Sequence, residues 1–248
     1  MKFSRTAMGT VASMAVTPTG APRAEAEAAA GDPVRQGETR GRPRIRQDDE
    51  ILEAALQAFA AQGFDAMSLR SLNAQLGLSH GTISQRFGTK ERLYFAAVDF
   101  GFASFLADLQ ERRQRLLGDA TSPDDLADLR ATVRAFLGAA LIRPEFGRLM
   151  NQEGLHPTPR LAYIVERVMA PLLASVGALL DRLIRDDRIR PVTARALFFL
   201  VAHGAEAPYT LSARSSAFDG VDGPLDPHRH ADDVTDLLMR GIIAGPDD

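Results

Sequence analysis

Residues 68–87 read SLRSLNAQLGLSHGTISQRF. Leu69, Leu72 and Leu76 recur at spacings of three and four, which lines one side of a short helix. Leu78, Ile83 and Phe87 supply the inner side of a second. Between them stands Gly77, where a sharp turn needs a residue tolerant of positive φ. Ser68 is placed to cap the first helix and Ser79 the second. The pattern is a helix-turn-helix. Its outer residues, His80, Gly81, Thr82, Ser84 and Gln85, are small or hydrogen-bonding and suit a DNA major groove. The amide groups opening the second helix, near Ser79, favour a phosphate. Arg86 and Lys90 follow one to two turns later, placed for backbone contact. A plain helical hairpin with a glycine turn has the same spacing, so this stretch alone leaves both readings open.

Upstream, Ile51, Leu52, Ala55, Leu56 and Phe59 form the stripe of a helix over about 47–62, which Gly63 ends as a C-terminal cap. Before it, Arg35 to Arg46 holds five arginines (35, 40, 42, 44, 46) against one acid, Glu38. Arg40-Gly41-Arg42-Pro43-Arg44 resembles an AT-hook core. Glycine and proline keep it narrow and extended, as the minor groove of A·T-rich DNA requires. With Arg46 it forms a basic arm just before the first helix; a solvated basic linker is the alternative. Residues 1–39 have almost no large apolar side chains and are expected to be disordered. Lys2 and Arg5 precede a stretch broken by Gly9, Thr10 and Ser13, a poor signal-peptide core.

Downstream, the apolar spacing stays helical and no strand alternation persists. A long helix is expected from about Lys90 to Leu117. Ser122-Pro123-Asp124-Asp125 opens the next, with Ser as cap, and it ends near Ile142. Pro144 opens a short one. Thr158-Pro159 opens a long one reaching about Asp187, which Pro171 should kink. Thr193–Ser212 reads as an apolar helix, residues 215–227 as a loop, and about His230 to Ile243 as the last helix.

Gly77-Leu78-Ser79-His80-Gly81-Thr82-Ile83 with Phe87, Lys90-Glu91 and Leu93 resembles the DNA-binding domain of the tetracycline-repressor (TetR) family, over Gln47 to about Tyr94. The resemblance implies an all-α homodimer. An N-terminal three-helix DNA-binding domain (46–93) would follow an extension (1–45) and precede a helical effector-binding and dimerisation domain (94–248). In the family pattern an aromatic, usually Tyr, stands at Ser84, and His or Tyr at Arg86; both commonly touch phosphates. Ser84 is shorter than that aromatic, while Arg86 is a longer, permanently charged donor. Lys90 matches the family's backbone-contacting lysine. Asn73 and Leu76 replace small residues.

For the C-terminal part, the helices near 193–212 and 230–243 are the candidate dimer interface. Phe136, Phe146, Met150, Tyr163, Met169 and His203 are candidates to line an effector pocket, with ordinary core packing as the alternative. His203 and Glu206 share a helix face, where a satisfied buried pair or a dimer contact competes with ligand binding.

The 248 residues carry a net charge of −3, so no chain-wide basic excess marks a nucleic-acid binder. Without cysteine there is no disulfide or thiolate chemistry, and a cytoplasmic setting fits. No phosphate loop, nucleophile elbow or HExxH is present, and His228-Arg229-His230 lacks a third metal ligand on a rigid element. No cofactor, metal or membrane partner is expected. The expected partners are double-stranded DNA with a near-palindromic operator, a small-molecule effector and a second copy of the chain. Regulation of transcription by repression is the reading; an A·T-binding architectural protein, a helical enzyme and an interaction protein without DNA binding are its rivals.

Overall fold

The computed structural model describes residues 47–118 and 124–244. The arginines of the arm and the Ser122-Pro123 start signal lie outside the described residues. Within them every regular element is helical, and a single isolated bridge joins Ile189 to Ile243.

Three helices form the head: α1 (Asp48–Ala66), α2 (Leu69–Gln75) and α3 (Thr82–Phe87). Helix α1 runs past the expected stop, but Gly63 leaves helical geometry at φ 78° and breaks it there. The break turns Phe64 back so that it stacks on Phe59, with ring centroids 5.9 Å apart. Ser68 caps α2 through the amide of Ser71, as its position predicts. Gly77 adopts φ 66° in the turn, a conformation a β-carbon would strain.

Helix α4 (Lys90–Leu117) leaves the head and runs into the body, packing on α1 and on α5 (Asp125–Ile142). Asp124, rather than the serine before it, caps α5 by accepting from the amide of Ala127. Pro144 opens α6 (Pro144–Glu153), and Thr158 caps α7 (Pro159–Ile164). A π-helical stretch, Val165–Met169, then joins α7 to α8 (Ala170–Arg185). A second, Leu200–Ala205, follows α9 (Ala194–Phe199) and precedes α10 (Ala207–Thr210). Both lie just before a proline. The residues four positions before Pro171 and Pro208, Arg167 and Gly204, fall inside the two π stretches. A proline ring crowds that carbonyl and gives it no hydrogen, so a widened turn relieves both faults. The helix expected over 193–212 is therefore divided: α9 passes into the second π stretch, and after a turn at Glu206 helix α10 begins with Pro208 in its first turn.

The stretch read as a loop over 215–227 contains the short turns α11 (Ser212–Ser215) and α12 (Asp219–Asp222). The last helix, α13 (Pro227–Ile242), starts earlier than expected because Asp226 accepts from the amides of His228 and Arg229 and Pro227 takes the first helical position. The Asp226–His230 segment is thus a helix cap and first turn, and the described residues hold no cluster suited to a metal.

One apolar core runs through head and body. Ile51, Leu56 and Phe59 of α1 meet Leu72, Ile83, Leu93 and Tyr94, all essentially sealed from solvent. Each such side chain contributes about 1.5–3 kcal/mol by leaving water. The core continues through Leu129, Leu137, Leu149, Ile164 and Leu180. Arg130–Asp236 and Arg134–Asp232 ion pairs fasten α13 to α5. The run Pro159–Arg185 is long and apolar enough, by length and composition alone, to cross a membrane. Here Ile164, Val168, Leu179 and Leu183 turn it into the body.

Candidate nucleic-acid interface and body cavity

The outer face of α3 is held by one buried amide. Asn73, 4% exposed on α2, donates to the carbonyl of Leu69 at 2.9 Å and accepts from the amide of Ile83 at 3.3 Å. It therefore clamps the start of α3 to α2. Both ends of its carboxamide are satisfied, as a buried polar group requires. A polar residue on the same side as Leu69, Leu72 and Leu76 was the available signal for this role.

Helix α3 starts at Thr82 with Gly81, at φ 83°, in the cap position, so Ser79 is not the cap. The Thr82 hydroxyl donates to the carbonyl of Ser79 at 2.9 Å, which leaves Ser79 Oγ to donate to Thr82 Oγ1 at 2.7 Å. The serine stabilises the turn ahead of the helix instead. One of the amides expected to attract a phosphate, that of Ile83, is taken by Asn73.

Ser79, His80, Ser84, Gln85 and Arg86 are exposed together, while Gly81 and Thr82 are half-buried at the turn. Arg86 pairs with Asp48 of α1 at 3.2 Å. Lys90 donates to the carbonyl of Asp65 at 3.0 Å, with its ammonium 4.7 Å from the centre of the Phe64 ring. That geometry ties the start of α4 to the end of α1, and the ammonium keeps two further hydrogens.

In the body, Phe136, Phe146, Met150, Met169 and His203 surround one cavity of about 40 Å³, together with Phe102, Phe105, Arg143, Gly147 and Glu206. Tyr163 is not among them: it packs on Phe95 at 4.4 Å and donates to Asp99. A neighbouring apolar cavity of about 50 Å³, lined by Leu109, Leu129, Val133 and Leu197, shares Phe136, Leu172, Phe198 and Ala202 with the first. Both π stretches contribute to the walls, through Val168 and Met169 on one side and Ala202 and His203 on the other.

His203 and Glu206 are not a pair. His203 Nδ1 lies 2.7 Å from Asn151 Oδ1, and burial holds the imidazole below its ordinary pKa. Glu206 is 4% exposed, its Oε1 has no hydrogen-bond partner, and burial pushes its carboxyl up to about 7. The space beside it exists because residue 147 is glycine: a β-carbon there would stand 1.7 Å from Glu206 Oε1. An acid in an apolar stretch was visible in the sequence, but its lack of a partner was not.

Helix α6 touches both regions. Arg143, at its start, lines the cavity and pairs with Glu53 of α1 at 3.0 Å. At its end Gln152 donates to the carbonyl of Ala60, also at 3.0 Å. Phe146, Gly147 and Met150 lie between, against the cavity.

A helix-turn-helix head on a helical body is the class that these elements define. Residues 51–97 match the family model of bacterial regulatory proteins, tetR family, and residues 127–204 match the C-terminal domain of the HTH-type transcriptional dual regulator CecR. Residues 51–97 are thus similar to the DNA-binding region of the tetR family of bacterial regulatory proteins. The HTH-type transcriptional repressor NicS of Pseudomonas putida is 30% identical over 115 residues, 45% of this chain and 50% of that one, so the match spans half the relative's length. The HTH-type transcriptional activator FasR of Mycolicibacterium smegmatis is 25% identical over 204 residues, covering 82% of this chain and 86% of that one. The crystal structure of AibR in complex with isovaleryl coenzyme A and operator DNA shares the fold, with a TM-score of 0.59 at 19% identity over 77% of this chain and 96% of that one. These relatives are named as regulators, not as enzymes.

Proposed function

We propose that the protein is a homodimeric transcriptional repressor that binds a near-palindromic operator and leaves it when a small-molecule effector enters the body cavity. The observation that carries this reading is the outer face of α3: short polar side chains, exposed together, on a helix clamped to a sealed head. Residues 46–93 act as the DNA-binding domain, with His80, Thr82, Ser84 and Gln85 toward the bases and Ser79, Gly81, Arg86 and Lys90 toward the backbone. The arm, Arg40 to Arg46, adds minor-groove affinity from the extension. Residues 94–248 hold the effector and the dimer contact, and the protein works in the cytoplasm, where its DNA is.

Dimerisation is supported by outward apolar side chains. Phe199 and Leu200 are 56% and 57% exposed, and Leu237 of α13 is 73% exposed. Their helices meet where His230 Nε2 lies 2.9 Å from the carbonyl of Ala205 and where Tyr209 donates to that of Pro227. A two-fold axis on this face sets two recognition helices about 34–36 Å apart, one turn of DNA. Repression follows NicS; FasR carries the opposite sign. An effector needs a coupling of only about 1–3 kcal/mol to change operator affinity 5–150-fold.

The test is fluorescence anisotropy at a stated salt, with the duplex upstream of the protein's own gene against a scrambled duplex of equal composition. Tight binding to the first alone, with two protomers per site, is expected. Equal binding to both would favour the architectural reading through the arm. Removing residues 1–44 should weaken binding and flatten its salt dependence by roughly one unit per lost phosphate contact.

A further inference from the structure

Resting on the reading of the body cavity as an effector site, we propose that the effector is a hydrophobic organic cation. It would be an aromatic or alkyl amine whose ammonium group pairs with Glu206 while its apolar part lies among the phenylalanines.

The polar groups of the cavity sort by what they lack. Glu206 is buried with Oε1 unpartnered. Arg143, the cation in the wall, is engaged by Glu53 at 3.0 Å and by Glu145 at 3.7 Å. With Asn151 Oδ1 as acceptor, His203 Nδ1 carries the ring hydrogen, and its Nε2 remains an acceptor. Once ionised, Glu206 offers acceptors, as His203 Nε2 does, and asks for a donor. A neutral hydrocarbon would leave the buried carboxyl without a partner, and a carboxylate would meet a second one. An ammonium group donates to the ionised Glu206 carboxylate and supplies the missing charge.

The rest of the cavity suits the other end of such a molecule. The Phe146 ring stacks near Phe105 and Phe102, with centroids 5.3 and 6.3 Å away. Aromatic faces attract a desolvated cation. The neighbouring apolar cavity, reached past Phe136 and Phe198, can take a tail. About 40 Å³ holds a few waters, so ligand entry must widen the space. The two π stretches, a form of helix frequent at functional sites, lie in the walls that would have to move.

The experiment is calorimetric titration of the full chain with three probes of one shape: 2-phenylethylamine, 2-phenylethanol and 3-phenylpropanoate. The wild type is expected to bind the amine about tenfold or more tightly than the alcohol or the acid. Glu206→Gln should lose that preference while binding the alcohol as the wild type does. Circular dichroism and Tm establish that the variant is folded, and the ranking of the probes on the wild type needs no variant. Equal or tighter binding of the alcohol or acid, or a preference for the amine that survives Glu206→Gln, overturns the proposal. If the alcohol binds and shifts operator affinity without any preference for the amine, the effector reading stands and the cation falls. If no probe binds, both fall.

Discussion

The head and the body are made of the same material, helices with apolar stripes, and differ in how completely they are filled. In the head, Ile51, Phe59 and Ile83 are fully sealed, Phe59 meets Tyr94 edge-on at 5.0 Å, and the buried amide of Asn73 is satisfied at both ends. The body contains two adjoining cavities, two π-helical stretches and an acid with an unpartnered oxygen. The difference teaches where each region's stability has been given up. A surface that must present fixed side chains to a rigid partner gains from close packing. A region that admits a ligand needs space, and space costs dispersion contacts.

The largest expected effect tests the packing itself. Phe59→Ala should cost about 3–5 kcal/mol in chemical denaturation. Phe146→Ala, at the edge of an existing cavity, should cost roughly half as much, because fewer partner atoms lose contact. Equal costs would erase the contrast between the regions.

Next in size is the pH dependence of Glu206. In the unfolded chain its carboxyl ionises near its ordinary 4.5; in the folded chain it holds its proton up to about 7. The stability it confers is whole below the lower value and is lost as pH rises through the upper one. The loss is on the order of 3 kcal/mol. Urea denaturation of the wild type and Glu206→Gln from pH 4 to 8 should diverge over that window, the wild type losing stability relative to the variant. Parallel curves would mean that the carboxyl has a partner in solution.

Asn73→Ala should cost about 1–3 kcal/mol, since it leaves the Ile83 amide without its acceptor. Operator affinity should fall with it, because the start of α3 loses its clamp. An unchanged melting temperature with unchanged anisotropy would show that the head does not need the amide.

The smallest effect sharpens the link between the regions. Arg143→Ala removes the pair with Glu53 across α6 and α1. It should leave operator affinity without effector nearly unchanged and reduce the effector's influence on it by about 0.5–2 kcal/mol. A loss of basal affinity instead would make Arg143 a support of the head and not a connection to it.

Most of the head was legible. Leu69, Leu72 and Leu76 against Leu78, Ile83 and Phe87 give two helices and a turn by spacing alone, and Gly77 adopts the positive φ that the turn demands. The start of α3 was misplaced, because Ser79 has the chemistry of a cap and only the structure shows its hydroxyl spent on Thr82. Five candidate cavity residues stand together, while Tyr163, equally apolar and aromatic, faces Phe95 and Asp99. No local pattern separates these two fates. Over 193–212 the sequence signal of a widened turn is Pro208, which sits in the first turn of α10 just after the π stretch.

By itself the sequence determined the helical class, the positions of most helices, the Ser68 and Thr158 caps and the outward face of α3. These depend on hydrophobic spacing and capping, which act within a turn or two of chain. Only the tertiary structure decided that Arg143 meets Glu53, 90 residues away, and that the missing β-carbon of Gly147 makes the space beside Glu206. It also decided that the body contains these cavities at all. Those outcomes depend on how side-chain volumes from distant helices fit together, and that sum has no local signature.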